Sequence, residues 1–145
     1  MYPEEIVKPC REELTAIGVE ELRTPEDVDA AIQNREGTTL VVVNSVCGCA
    51  AGGARPGVRL ALQHTNTPDH LTTVFAGVDV AAVAKARSYM VGYPPSSPSV
   101  ALFKDGQLVY MMERHDIEGF HPEQIARKLK MAFDAHCTTT ASTEG

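Results

Sequence analysis

The stretch TTLVVVNSVCGCAAGG, Thr38 to Gly53, decides how this chain is read. Thr38 to Val46 is almost continuously apolar or β-branched, the pattern of a central strand covered on both faces rather than one face open to water. The run stops abruptly at Cys47-Gly48-Cys49. Residues 50–63 (AAGGARPGVRLALQ) then suit a helix, with Gly52, Gly53, Pro56 and Gly57 predicting an irregular or kinked first half. Cys47 therefore stands where a buried strand hands over to a helix. A helix N-terminus offers free backbone N–H groups and the positive end of the dipole. Both favour thiolate over thiol, so Cys47 is expected to ionise below the free value of about 8.5 and to act as a nucleophile. Gly48 lets the backbone between the two sulfurs take unusual angles. Cys49, two residues on, is placed to reach back to a mixed disulfide formed on Cys47. A bridge across one residue closes a small, strained and easily reduced ring. Such a pair suits an exchanger better than a structural staple.

Two other readings compete. Both cysteines are small enough to serve as core hydrophobes. They also have the chemistry of zinc ligands, together with Cys10, Cys137 or a histidine, but the spacing is not C-x₂₋₄-C and there is no second close pair. The exchange reading needs no metal. It needs no nucleotide either, since the chain lacks a glycine fingerprint followed by an acidic residue.

The rest of the chain frames this unit. Residues 4–17 place Ile6, Val7, Cys10, Leu14 and Ile17 on one helical face, with Pro9 predicting a kink or a late start. A short extended piece, Val19 to Leu22, follows. Thr24-Pro25-Glu26-Asp27 opens a helix expected to run to about Arg35, with a Thr cap, Pro in the first turn and acids at the positive end. Leu71 to Val78 reads as a second long strand and Asp79 as the cap of a helix closed by Gly92. Tyr93 to Ser99 is too rich in Pro and Ser to be regular. Val100 to Phe103, a Lys104-Asp105-Gly106 turn and Leu108 to Met112 form a hairpin. A last helix opens near His121-Pro122-Glu123 and ends near His136. Alternating α and β elements followed by a hairpin predict an α/β fold: a central mixed sheet with a C-terminal β-hairpin and helices on both faces.

A chain of 145 residues, 43% hydrophobic and 22% charged, is expected to form one globular domain, residues 1–137, with a disordered tail at 138–145. Its formal net charge of −6 gives no electrostatic basis for holding a polyanion, so nucleic acid is not an expected partner. The acidic, proline-broken start does not resemble a secretory signal. No apolar run approaches the roughly 20 residues needed to span a bilayer. A cytoplasmic protein with reduced thiols, and no membrane partner, is expected.

The stretch SSPSVALFKDGQLVYM, Ser96 to Met111, sets a proline directly before a strand, then a turn and a return strand. With the strand–Cys–helix unit upstream, this resembles the thioredoxin fold, in which a cis proline packs against the active-site sulfur. Pro98 matches that position, and a cis X-Pro bond costs only ~0.5–1 kcal/mol. The blocks VVVNSVCGCAAGGARP, PPSSPSVALFKDG, RHDIEGF (Arg114 to Phe120) and AFDAHC (Ala132 to Cys137) narrow the likeness. Together they resemble the bacilliredoxin family, small bacterial thioredoxin-like proteins with a Cys-Gly-Cys motif, over essentially the whole chain to Cys137. The resemblance implies removal of bacillithiol, a low-molecular-weight thiol, from mixed disulfides on cytosolic proteins. Weak disulfide reductase or isomerase activity is also associated with the family. It implies Cys47 as nucleophile and Cys49 as the second thiol, and it matches Cys137 without giving it a role. Cys10 matches no motif and is read as packing.

The chain departs from ordinary thioredoxin in two places. Val46 stands where a tryptophan would precede the first cysteine, and LVVVNSV carries no carboxylate to accept a proton from the second thiol. Both departures favour a mechanism leaning on Cys47 and an external thiol. Asn44, Ser45, Arg55, Ser97 and Pro98 are the candidate substrate-binding residues. Asn44 and Ser45 flank the motif as potential partners of a substrate backbone, or simply terminate the strand. Arg55 offers charge to the thiolate or to an acidic thiol, or is a solvated surface residue. Tyr93 and the 94–98 loop are expected to line the substrate groove. His115 is read as a surface or capping histidine rather than a titrating one. The reading is thiol–disulfide exchange: Cys47 attacks a mixed disulfide and takes the small thiol onto itself. Cys49 or a second free thiol then resolves the adduct, with the small thiol as co-substrate and no other cofactor. The alternatives are a protein dithiol oxidoreductase or isomerase, and a metal-binding or thiol-sensing module without turnover. The sequence leaves the oligomeric state open.

Overall fold

The computed structural model describes residues 2–33 and 35–137; the tail expected at 138–145 lies outside the described residues. The predicted central strand, β2 (Thr38–Asn44), is buried at all seven positions. Its alternation sends Leu40 and Val42 to one face and Val41 and Val43 to the other, each into a separate hydrophobic core. β2 pairs in parallel with β3 (His70–Phe75) and antiparallel with β4 (Ser99–Lys104). β1 (Glu20–Glu21) adds in parallel to β3, and β5 (Gln107–Met112) closes the hairpin with β4. The five-stranded order β1-β3-β2-β4-β5 is the mixed sheet with a terminal hairpin that the sequence predicts.

Helices cover both faces. Against Leu40 and Val42 lie Leu14 of α1 (Glu4–Thr15), Val58 and Ala61 of α3 (Arg55–Ala61), and Ile125, Leu129 and Phe133 of α5 (Pro122–His136). Against Val41 and Val43 lie Val28, Ala31 and Ile32 of α2 (Pro25–Ile32) and Ala82, Val83 and Ala86 of α4 (Val80–Ser88). Gly57 sets how close α3 and α5 come, because a Cβ there would sit 2.7 Å from Ile125 Cγ2 and 2.9 Å from Ile125 Cβ. Among the described residues no helix is long and apolar enough to cross a membrane.

The Thr24 cap is the one the sequence calls for, whereas Asp79 precedes α4 without capping it, its carboxylate accepting from Arg11 Nη1 at 2.9 Å instead. Thr24 Oγ1 accepts from Asp27 N at 3.1 Å, and the Asp27 carboxylate accepts from Thr24 N. The hairpin turns at Asp105 and Gly106, both at positive φ. Other boundaries shift. α1 starts at Glu4 and runs through Pro9 with no late start. Glu5 and Pro9 lie on its exposed side, where the N–H that Pro9 lacks costs the helix least. α2 stops at Ile32 rather than Arg35 because Gln33 turns extended. α4 stops at Ser88, short of Gly92, which lies beyond it at positive φ. β2 ends at Asn44 and β3 at Phe75, short of Val46 and Val78.

Candidate active site

The end of β2 is built around a buried arginine. Arg55, the first residue of α3, is only 3% exposed. Its Nη1 donates to Asn44 Oδ1 at 3.0 Å and to the Ser45 carbonyl at 2.5 Å, and its Nε donates to Glu13 of α1 at 2.9 Å. Asn44 Oδ1 also accepts from Ser45 N, and Asn44 Nδ2 donates to the Cys10 carbonyl at 3.1 Å. One guanidinium and one amide thus lash the strand end to α1 and α3. This corrects the expectations for Arg55. Arg55 is neither solvated nor aimed at the thiolate; Asn44, 1% exposed, spends its amide on this network, and Ser45, 8% exposed, accepts from the Cys47 N–H through its hydroxyl at 3.1 Å, so both close the strand end, the other role the sequence allows them. Their polar atoms shape the loop that carries the sulfur.

That loop leaves Cys47 and Cys49 partly exposed. The Cys47 carbonyl accepts from the N–H groups of both Ala50 and Ala51 at 3.1 Å, so Cys47 caps the opening turn. The turn continues as a π-helix, Ala50–Ala54, before α3; this wide turn is the irregular start that the glycines predict. Burial pushes the Cys47 thiol up, but the net shift is down. The Ser45 hydroxyl, the Ala50 and Cys49 backbone N–H groups and the charge of Arg114 outweigh it. The Cys49 thiol moves up: burial leads, and the Cys47 and Glu118 charges add to it against the pull of Arg114. Two thiols one residue apart are thereby differentiated, with ionisation made easier at Cys47 and harder at Cys49.

The loop before β4 completes the site. The Ser97–Pro98 peptide bond is cis and Pro98 is buried, while Ser97 is half-buried. Register places Ser99 opposite Val43, which brings Pro98 beside the end of β2. Arg114, in the one-turn 3₁₀ helix Arg114–Asp116, bridges the two loops. Its Nη1 donates to the Ser97 carbonyl at 3.0 Å, and its Nη2 lies 3.6 Å from Cys49 Sγ. Sequence reasoning gave Arg114 no role; the only signal was its place at the head of the RHDIEGF block, directly after the hairpin.

The remaining candidates lie elsewhere. Tyr93 lines a cavity of about 590 Å³ with Tyr89, Val91, Asp105, Leu108 and Tyr110. That cavity runs along β5 to the hairpin turn, at the opposite end of the sheet from the cysteines, so Tyr93 does not line a groove at the sulfur. The His115 side chain is 73% exposed beside Glu113 and Asp116. Cys137 is buried in the core, where loss of water raises its thiol. Cys10 stays on α1 with its sulfur on the Ile6 carbonyl. Among the described residues, neither Cys47 nor Cys49 is gathered with two further ligand atoms at metal-binding spacing.

A family model described as "Disulphide isomerase" matches residues 2–137. The chain is 58% identical to a bacilliredoxin of Cytophaga hutchinsonii over 92% of its own length and 98% of that protein. It is 55% identical to a bacilliredoxin of Koribacter versatilis over 97% of each chain. It is 58% identical to one of Geobacillus kaustophilus over 92% of its own length and 91% of that protein. Solved thioredoxins from Malassezia sympodialis and Fasciola hepatica superpose with TM-scores of 0.55 and 0.54. They share 14% and 17% identity, covering 83% and 81% of this chain and 91% and 99% of theirs. The fold is thioredoxin-like and the relatives give it a thiol–disulfide redox role. With the Cys-Gly-Cys turn, the cis proline and full-length relatives all in place, the chain belongs to the bacilliredoxin family.

Proposed function

We propose that this protein removes bacillithiol, or a similar small thiol, from mixed disulfides on cytosolic proteins. The observation that carries the reading is the asymmetry of the pair: a half-exposed Cys47 driven toward thiolate and a neighbouring Cys49 held as thiol. Cys47 Sγ attacks the small-thiol sulfur of the mixed disulfide. The bond to the protein sulfur breaks, and the freed protein thiolate leaves with the electron pair and takes a proton from water. Cys47 now carries the small thiol. Cys49 loses its proton to solvent and attacks Cys47 Sγ, expelling the small thiol and leaving a Cys47–Cys49 disulfide; alternatively, a second small thiol resolves the adduct. The small thiol is the co-substrate, and the residues present require no other cofactor.

The test is single-turnover loss of bacillithiol from a modified protein, followed by intact mass. Wild type is expected to strip the modification and Cys47→Ala to leave it in place. A Cys47→Ala variant as fast as wild type would overturn the reading. The description "Disulphide isomerase" supports a second reading, exchange between protein disulfides. Rescue of a scrambled protein faster than removal of bacillithiol, at equal enzyme, would favour it.

A further inference from the structure

Once Cys47 carries an adduct, its negative charge is gone, yet Cys49 must now ionise to resolve it. Charged and titratable groups face Cys49 from two sides. Cys47 does so from its own loop, and Arg114 and Glu118 do so from the segment after β5. Lys128 of α5 is engaged elsewhere, donating to the Asp116 carbonyl at 3.0 Å and lying 3.6 Å over the Phe120 ring. Two of the influences that hold Cys49 protonated, the charge on Cys47 and the hydrogen bond to it, exist only while Cys47 is a free thiolate. Arg114 persists in both states. It is held in place from three sides: its Nη1 on the Ser97 carbonyl at 3.0 Å, its backbone N on Ser96 Oγ at 3.3 Å, and its Nε toward Glu118 at 3.5 Å. Nη2 is thereby left at 3.6 Å from Cys49 Sγ.

We propose that Arg114 is a positioning residue for the resolving step, pinned by the cis-proline loop so that its guanidinium stabilises the Cys49 thiolate after Cys47 has been capped. This inference rests on the exchange reading and assigns the order of events within it. With Cys47 free, ionisation is favoured at Cys47 and disfavoured at Cys49; with Cys47 in a mixed disulfide, the same cation serves Cys49. The Cys49 proton goes to solvent, the Cys49–Cys47 bond forms, and the small thiolate leaves with the electron pair of the broken bond.

A stoichiometric reaction of the reduced full-length protein with 5,5′-dithiobis(2-nitrobenzoate) separates the two steps. Attack by Cys47 releases one thionitrobenzoate in a second-order phase, and resolution by Cys49 releases the other in a unimolecular phase. Arg114→Gln is expected to slow the second phase about fivefold near pH 7, the weight of one unit charge at about 4 Å in water. It also moves that phase's pH profile upward; the first phase, whose thiol Arg114 lowers as the last and smallest of the influences on it, is expected to slow by clearly less than the second. Arg114→Lys restores the charge and is expected to recover most of the second-phase rate. A second-phase profile unchanged in Arg114→Gln overturns the proposal. So does equal slowing of both phases that Lys fails to rescue, which marks a merely structural role. Cys49→Ala guards the underlying reading: it must abolish the second phase, and persistence of that phase would overturn resolution by Cys49 itself.

Discussion

Replacing Arg55 should destabilise the fold by an amount its hydrogen bonds set. The guanidinium donates to two buried acceptors, Asn44 Oδ1 and the Ser45 carbonyl, and to Glu13, which is 43% exposed. A hydrogen bond to a charged donor contributes roughly 1.5–3 kcal/mol when its acceptor is buried. Asn44 Oδ1 keeps the Ser45 N–H after the arginine is gone, so its loss falls at the low end. Glu13 returns to water, and its exposed pair contributes no more than about 1 kcal/mol. Arg55→Met is therefore expected to cost about 3–4 kcal/mol. Arg55→Lys keeps the charge but not the fork that spans three acceptors, and should cost about 1–2 kcal/mol. Urea unfolding reads both as a drop in midpoint at unchanged slope; with slopes of about 1–3 kcal/mol/M the Met variant moves by about 1–4 M. A loss under about 1 kcal/mol for Arg55→Met, or a fully neutral lysine, would refute the claim that this fork holds the strand end.

Other outcomes follow from single contacts. Ser45→Ala removes a hydroxyl that lowers the Cys47 thiol, so iodoacetamide alkylation of Cys47 should slow at neutral pH and its midpoint rise. In wild type, alkylation begun in mild acid and raised in pH should modify Cys47 before Cys49, because their shifts have opposite signs; peptide mapping reads the order. The same depression links Cys47 to stability. Its folded value lies below its unfolded one, so its contribution is present above the unfolded value of about 8.5 and is lost as pH falls through the folded value. Wild type should gain on Cys47→Ala as pH rises across that window, measured as the difference in unfolding free energy. Gly57→Ala drives a Cβ against Ile125 and is expected to cost about 1–3 kcal/mol by overpacking, read by thermal unfolding.

The layered architecture was legible because it rests on patterns that sterics and burial impose. Thr38 to Asn44 had nowhere to go but a two-faced core, Thr24-Pro25 could only open a helix, and Asp105-Gly106 could only turn. The strand-to-helix position of Cys47 followed from the same reading. What stayed hidden was the wiring between distant segments. Arg55 reads as a surface residue in sequence, yet α1, β2 and α3 converge on it. Arg11 likewise lies buried beneath α1, paired with Glu21 and with Asp79 at 2.9 Å and stacked 5.1 Å from the centre of the Phe75 ring. Arg114 reaches Cys49 across 65 residues of chain. Local periodicity carries no information about such pairings, because partner identity is set by how the helices pack and not by the residues on either side.

The account stands most directly on Cys47 receiving the small thiol. The decisive measurement takes reduced Cys49→Ala, incubates it with a protein carrying a bacillithiol mixed disulfide, and records intact mass without reductant. One bacillithiol adduct, mapped to Cys47, with the substrate protein returned to free thiol, is the predicted result. An unmodified Cys47 beside a substrate that is still modified would contradict the account.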